Sequence, residues 1–351
     1  MSPRPITIVG GGLAGLSLGL FLRRAGVPVV VLEAGNYPRH RVCGEFLSGR
    51  GQAILDELGL RPACDAAGAR EAITACFADH RTLGPVRRLP QPALCLSRYA
   101  LDALMASVFL RLGGNLETGQ RIPIPGPRPG WVRATGRRPA PPGGRWRWFG
   151  VKAHALGVAT EADLEMHFSA GSYVGLCRLD ADRVNVCGLF RRRGATDTPR
   201  VPSAEDWLRG DPGSLRRHRL GACPFDPNSV CAVGALDLRM PGPATPGEVS
   251  LGDALAVIPP LTGNGMSLAL ESARLAAKPL TQYARGTFEW PEACAIIARL
   301  QRGQFGSRLR TAWMLQHLQG WPVVPGVLRT LLHRSDRAWR HLFAATRSGT
   351  G

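Results

Sequence analysis

Thr7-Ile8-Val9-Gly10-Gly11-Gly12-Leu13-Ala14-Gly15-Leu16 reads as a β-strand that runs through Gly10-x-Gly12-x-x-Gly15 into the first turn of a helix. Val29-Val30-Val31-Leu32 follows as a second strand, with Glu33 at its tip. The chain holds 43 glycines, so the glycine spacing alone decides nothing. The context decides: a strand before, a helix after and an acid closing the next strand make a dinucleotide-binding βαβ unit of Rossmann type. Gly10 permits the tight turn, Gly12 lets backbone approach a pyrophosphate, and Gly15 lets helix and strand pack closely. The helix N-terminus faces the phosphates, and Glu33 is placed to bind a ribose hydroxyl.

A second element lies near the other end. Val249-Ser250-Leu251-Gly252-Asp253-Ala254 reads as a strand ending in Gly-Asp, and Pro260-Leu261-Thr262-Gly263-Asn264-Gly265-Met266 precedes an apolar helix from Ser267 to Ala277. Strand-Gly-Asp-Ala, then Pro-x-x-Gly-x-Gly-Met and a helix, resembles the flavoprotein monooxygenases built like p-hydroxybenzoate hydroxylase and their relatives, the geranylgeranyl reductases and flavin-dependent halogenases. The resemblance implies FAD, with Asp253 on the ribityl chain and the backbone of Gly263, Asn264, Gly265 and Met266 at the pyrimidine edge of the flavin ring; Gly252 and Pro260 shape that edge. A reduced flavin is anionic there, and a helix N-terminus offers free N–H donors and roughly half a positive charge.

Three further landmarks fall in the family's order. Tyr37-Pro38-Arg39-His40-Arg41-Val42-Cys43-Gly44 resembles the Pro-Arg-x-x-x-Cys-Gly stretch beside the flavin, which implies cofactor contact for Arg41 and a ring-adjacent thiol at Cys43. Arg98-x-x-Leu101-Asp102 opens the next matching helix, with Arg98 on the cofactor side, and Trp131-Val132-Arg133-Ala134-Thr135-Gly136 resembles the turn that returns the chain to the nucleotide.

The expected architecture is α/β with an α+β second layer. A Rossmann-like FAD-binding domain is assembled from residues 1–70, 96–140 and 245–285, an antiparallel β-sheet substrate domain from 71–95 and 141–244, and a C-terminal helical region from 286–351. Ser172 to Leu179 and Arg183 to Phe190, joined by Asp180-Ala181-Asp182, form a hairpin in the substrate domain. Between Asn115 and Thr135, where the family carries extra strands, this chain has only a Pro/Gly-rich link, Pro123 to Gly130.

A length of 351 residues at 44% hydrophobic content supports both domains. No apolar run reaches the roughly 18 residues a membrane span needs, and the stretch Leu13 to Leu22 is broken by glycines, so it is not read as a signal core. Nine cysteines without a Cys-x-x-Cys pair read as reduced thiols of a cytoplasmic protein, with no metal site. The formal net charge of +18 favours anionic partners such as FAD, NADH or NADPH, a carrier protein or an anionic membrane surface. No nucleic-acid-binding module is present in the pattern. Leu328, Leu331, Leu332, Trp339, Leu342 and Phe343, interleaved with Arg329, Arg334, Arg337 and Arg340, predict a basic C-terminal helix that packs on the domain or docks peripherally on a membrane.

In Gly150-Val151-Lys152-Ala153-His154, strand alternation puts Lys152 and His154 on one face. A histidine can take a phenol proton near neutral pH and a lysine can hold the resulting anion, while the plainer reading is a solvent-facing pair. The leading expectation is an NAD(P)H-using monooxygenase acting on an aromatic or lipophilic biosynthetic intermediate, free or carrier-bound. A reductase of carbon–carbon double bonds, which Cys43 favours, is the alternative, and a flavin-binding scaffold the third. Halogenation is disfavoured, because the halogenases' lysine has no counterpart among residues 1–151 and their Trp-x-Trp-x-Ile-Pro strand is absent.

Overall fold

The computed structural model describes residues 2–123, 126–137, 146–193, 203–238, 245–260, 263–318 and 335–337. In chain order its elements are β1 (Ile6–Val9), α1 (Leu13–Arg24), β2 (Val29–Leu32), β3 (Phe46–Leu47), α2 (Arg50–Glu57), α3 (Arg61–Ala66), β4 (Arg70–Ala78), β5 (Arg87–Cys95), α4 (Arg98–Arg111), β6 (Asn115–Glu117), β7 (Trp131–Arg133), β8 (Trp146–Leu156), β9 (Leu164–Ser169), β10 (Ser172–Arg178), β11 (Arg183–Arg193), α5 (Ala204–Arg209), α6 (Leu215–Leu220), β12 (Phe225–Leu236), β13 (Val249–Ser250), α7 (Gly265–Ala284) and α8 (Trp290–Leu318). They build two sheets. One is parallel, ordered β13-β7-β1-β2-β6; the other is ordered β12-β8-β11-β10-β9-β4-β5-β3.

The parallel sheet is dressed by α1, α4 and α7. Leu16, Leu18, Leu20 and Leu22 of α1 are all essentially inaccessible, because α4 covers one flank and α7 the other. A buried leucine side chain contributes about 1.5–3 kcal/mol, so this helix is held by tertiary packing and not by its two glycines' helix propensity. Helix α8 is fastened to α7 by a buried ion pair, Arg308 Nη1 to Glu271 Oε1 and Oε2 at 2.9 and 2.8 Å. Among the described residues no helix is long and apolar enough to cross a membrane.

The predicted hairpin is present as β10 and β11, paired from Ser172↔Phe190 to Arg178↔Val184. The second sheet differs from the expected antiparallel arrangement in one place: β4 and β9 pair in parallel, Ala75↔Leu164 to Ala78↔His167. Between those strands the chain leaves to build α4, β6 and β7, so β9 returns by a crossover and not by a hairpin. Where the β4–β5 register slips between Ala72 and Thr74, Asp163 supplies the missing acceptor. Its carboxylate takes the backbone N–H of Ile73 at 2.9 Å and of Thr74 at 3.1 Å.

The two faces of this sheet are unlike. Val151, Ala153, Val174, Val184 and Val186 face an apolar layer with Leu208 and Leu220 from α5 and α6. Lys152, His154, Asn185 and Cys187 lie on the other face, toward the loop that precedes β3. The basic helix predicted over residues 328–343 falls, apart from 335–337, outside the described residues.

Candidate functional site

Three glycines of the first turn do different work. A Cβ at Gly10, whose φ is +110°, would collide with the carbonyl of Ala134, and one at Gly15 would collide with the carbonyl of Gly10. Those two serve the fold. A Cβ at Gly12 would meet nothing nearer than Arg41 Nη2 at 3.9 Å, so the space before α1 is open. Gly12 is also the N-cap of α1, which has no side-chain cap and no acid in its first turn. Its first N–H groups therefore remain available to an anion.

Glu33 is almost fully buried and organises the loops around that space. Its carboxylate accepts from Gly11 N at 2.7 Å and Gly35 N at 2.9 Å and pairs with Arg39 at 2.6 Å. Burial alone would push its carboxyl up, but these bonds and the Arg39 and Arg41 charges outweigh it and hold the carboxyl below the ordinary range. Arg41 also reaches Asp102 at 3.2 Å, and Arg98 grips both oxygens of the same Asp102 at 2.7 and 2.8 Å. Arg98 is thus anchored by the buried acid four residues along α4. A cleft of about 740 Å³, lined by Asn36, Tyr37, Pro38, Ala103, Ala106 and Leu110 among others, opens against the turn after β2.

The opposite wall comes from the Gly-Asp element. Strand β13 ends earlier than the sequence suggests, and Gly252–Ala254 form a 3-10 turn nested against α1 and α7. A Cβ at Gly252 would lie 3.0 Å from that of Ala14, which is why glycine occupies this contact. Asp253 is half-buried and has no hydrogen bond or ion pair among the described residues. Burial pushes its carboxyl up, opposed by the charges of Arg137, Arg98 and Arg41. Helix α7 begins just beyond, at Gly265, with Asn264 as an N-cap that makes no side-chain capping bond and no acid in the first turn. Pro260 and Gly263 flank it; Leu261 and Thr262 are outside the described residues.

Between these walls runs the loop from Pro38 to Phe46. Asn185 Nδ2 donates to the carbonyl of Cys43 at 3.0 Å, and the Cys43 thiol is pushed up by burial against the opposing charge of Arg98. Glu45 adopts φ of +59°, a left-handed conformation that costs a non-glycine residue of order 1 kcal/mol or more. That turn sends its fully buried carboxylate into the second sheet. There Oε1 lies 3.2 Å from Lys152 Nζ and accepts from Arg98 N at 3.0 Å, while Oε2 lies 2.7 Å from His154 Nε2. Burial would raise Glu45, but His154 and Lys152 hold it low.

Lys152 and His154 do share a face, as the alternation predicts, and neither faces solvent: they are 0% and 1% exposed. Sequence reasoning missed their partners. Lys152 Nζ contacts His40 Nδ1 at 2.9 Å, and the half-buried His40 ring stacks on Tyr99 with centroids 4.6 Å apart. Burial, then the nearby Lys152 and His154, pull His40 down to about 4, so it is neutral at pH 7. Its Nδ1 accepts from Lys152, which leaves the hydrogen on Nε2. The ligand atoms of His40, Glu45 and His154 all lie within 4.8 Å of one another, a metal-like cluster. The Lys152 ammonium already provides the positive charge within it.

Open backbone at Gly12, two uncapped helix N-termini and an unpartnered Asp253 fit a dinucleotide cofactor with a polar chain between phosphate and ring. Residues 4–173 match the FAD binding domain family. The chain is 26% identical over 315 residues to the menaquinone reductase of Mycolicibacterium smegmatis, covering 79% of this chain and 76% of that protein. It is 38% identical over 109 residues to the 6-methylpretetramide 4-monooxygenase of Streptomyces rimosus, covering 30% and 26%. The structure of a flavin-dependent brominase superposes with a TM-score of 0.77 at 16% identity, over 100% of this chain and 95% of that one.

Proposed function

We propose that this chain, of which residues 4–173 match the FAD binding domain family, is an FAD-dependent reductase that draws electrons from NADH or NADPH and saturates a carbon–carbon double bond of a lipophilic, quinone-like or isoprenoid intermediate. The observation that carries this reading is the Lys152–His40 contact, because adding hydrogen across a double bond takes a proton as well as an electron pair. FAD, when bound, supplies the two-electron transfer between nicotinamide and substrate. The chain supplies the rest. Gly12 and the N-termini of α1 and α7 hold the phosphates and the ring edge, and Asp253 accepts from the ribityl hydroxyls. As His40 gives its Nε2 proton to the substrate, Lys152 passes one to Nδ1, and solvent at the half-buried His40 ring returns it afterwards. Glu45 and His154 keep the loop of Cys43 closed on the sheet.

Similarity supports this choice by its extent. The menaquinone reductase match spans most of the chain, whereas the monooxygenase match is confined to 109 residues. Monooxygenation, the leading expectation from sequence, is kept as a second reading because that shorter match is the more identical one. In it Lys152 and His40 would hold a phenolate. The test is anaerobic reduction of the purified holoenzyme with NAD(P)H, followed by a menaquinone analogue or by oxygen. Rapid reoxidation by the unsaturated acceptor and slow reaction with oxygen are expected. Substrate-stimulated oxygen uptake with one oxygen atom appearing in the product would replace reduction by monooxygenation.

A further inference from the structure

On the outer face of the second sheet, away from the Cys43 loop, lies a buried cation without a counter-ion among the described residues. Arg216 of α6 is 4% exposed, and its Nε and Nη1 have no hydrogen-bond partner. It makes no ion pair among the described residues. Its neighbour on the helix, Arg219, has counter-charges: it donates to the carbonyl of Ala159 at 2.6 Å and pairs with Glu165 at 3.3 Å and Glu161 at 3.7 Å, although its Nε makes no hydrogen bond. Asp211 is exposed and acts on Arg216 only at a distance beyond an ion pair. The backbone of Gly210 lies flat against the guanidinium, with no room for a side chain that could reach in.

A second unmet polar atom sits on the same face. His167 of β9 is 1% exposed, and its Nε2 lies 2.9 Å from Glu165 while Nδ1 has no partner. Burial first, then the charges of Arg216 and Arg219, hold His167 below its usual range, so the ring is neutral. An unpaired buried charge is among the costliest features a fold can carry, and one usual escape is neutralisation. Arg216 does not take it: burial brings the guanidinium down to about 10, which leaves it charged at pH 7.

We infer that Arg216, backed by Gly210, is a binding site for a phosphate group supplied from outside the chain, and the neutral His167, whose Nδ1 only accepts, can take the hydrogen of a P–OH. A planar guanidinium with free N–H donors matches phosphate oxygens, and the shared chemistry covers free phosphate as well as the phosphate end of a larger cofactor arm. This site is independent of the reaction proposed above.

The experiment uses FAD-saturated protein, so that the dinucleotide phosphate site is filled, at constant ionic strength. Inorganic phosphate is titrated calorimetrically, and phosphopantetheine is compared with pantetheine in parallel. One phosphate per chain is expected, with a rise in Tm of about 1–3 °C at ~10 times Kd. Arg216→Met should lose that response while melting at or above the wild type in phosphate-free buffer, since it removes an unpaired buried charge. Phosphopantetheine binding at least tenfold tighter than phosphate assigns the site to a carrier arm; equal affinity assigns it to the free ion. No binding of either ligand to the wild type, or an undiminished response in Arg216→Met, overturns the inference. If Arg216→Met does not fold, Arg216→Lys, which keeps the charge and loses the fork, should bind phosphate at least tenfold more weakly, and unchanged affinity there overturns it equally.

Discussion

His154 Nε2 and Glu45 Oε2 lie 2.7 Å apart across 109 residues of chain, and this bond joins the loop beside the cofactor cleft to the floor of the second sheet. Glu45 also holds Lys152, and neither charged side chain has any exposed surface. Removing one member of such a pair strands the other. Glu45→Gln should therefore destabilise the protein by about 3–5 kcal/mol, and adding Lys152→Met should recover a large part of that loss. Urea unfolding of the two single variants and the double variant gives the coupling; additive losses would mean that the pair is not a unit.

The open space in front of Gly12 separates fold from binding. Gly12→Val should fold with a melting temperature close to wild type and carry no flavin, because its side chain enters only the open space before α1, where the proposal puts the pyrophosphate. Gly15→Val should not fold, since its Cβ collides with the carbonyl of Gly10. Circular dichroism and visible absorbance distinguish the two, and normal flavin content in Gly12→Val would sink the assignment of this turn.

Asp253 holds an unpartnered carboxylate near three arginines. Asp253→Ala should weaken FAD by about 1–3 kcal/mol, the cost of losing a charged hydrogen-bond partner, without lowering the stability of the flavin-free protein. Fluorescence titration of apoprotein with FAD measures the first, thermal melting the second. Equal FAD affinity would place the ribityl contact elsewhere.

Stability should fall on acidification in two stages. The folded-state value of His40 is about 4, below the ordinary 6.5, so the unfolded chain takes up the proton first and stability is lost between pH 6.5 and 4. Glu45, held below its usual 4.5, adds a second loss as pH falls past that value. His40→Gln should shrink the first stage to the part that His167, also held below its usual range, contributes, and leave the second. Chemical denaturation at several pH values would show it, and an unchanged slope above pH 5 in the variant would remove His40 as the group responsible.

Cys43→Ser should retain FAD and change the rate of acceptor reduction by less than about tenfold, or 1.4 kcal/mol, because in the proposed reaction proton supply rests on His40 and Lys152. Stopped-flow reoxidation of reduced enzyme measures this. A larger loss would move the proton-donor role to the Cys43 thiol.

The parts of the fold written in local pattern were legible. The β1–α1–β2 unit, the β10–β11 hairpin and the pairing of Lys152 with His154 on one face all follow from short-range periodicity. Strand β5 was not, because Pro90 and Pro92 interrupt it and the ladder bridges them only by slipping register opposite Ile73. The partners of Lys152 were hidden for another reason. His40 and Glu45 stand more than a hundred residues away, and their approach depends on a single left-handed residue in a loop. Unpaired Arg216 carries no sequence signal at all, since three of its five neighbours on α6 are also basic.

The parallel sheet takes its edge strand β13 from late in the chain, and the wall that carries Asp253 arrives with it. A ribosome that has released β1, α1 and β2 has therefore made only half a cleft, and synthesis must continue through α7 before the halves meet. The cofactor cannot nucleate this protein early; it acts as a late staple that draws an already assembled chain toward the native state by mass action.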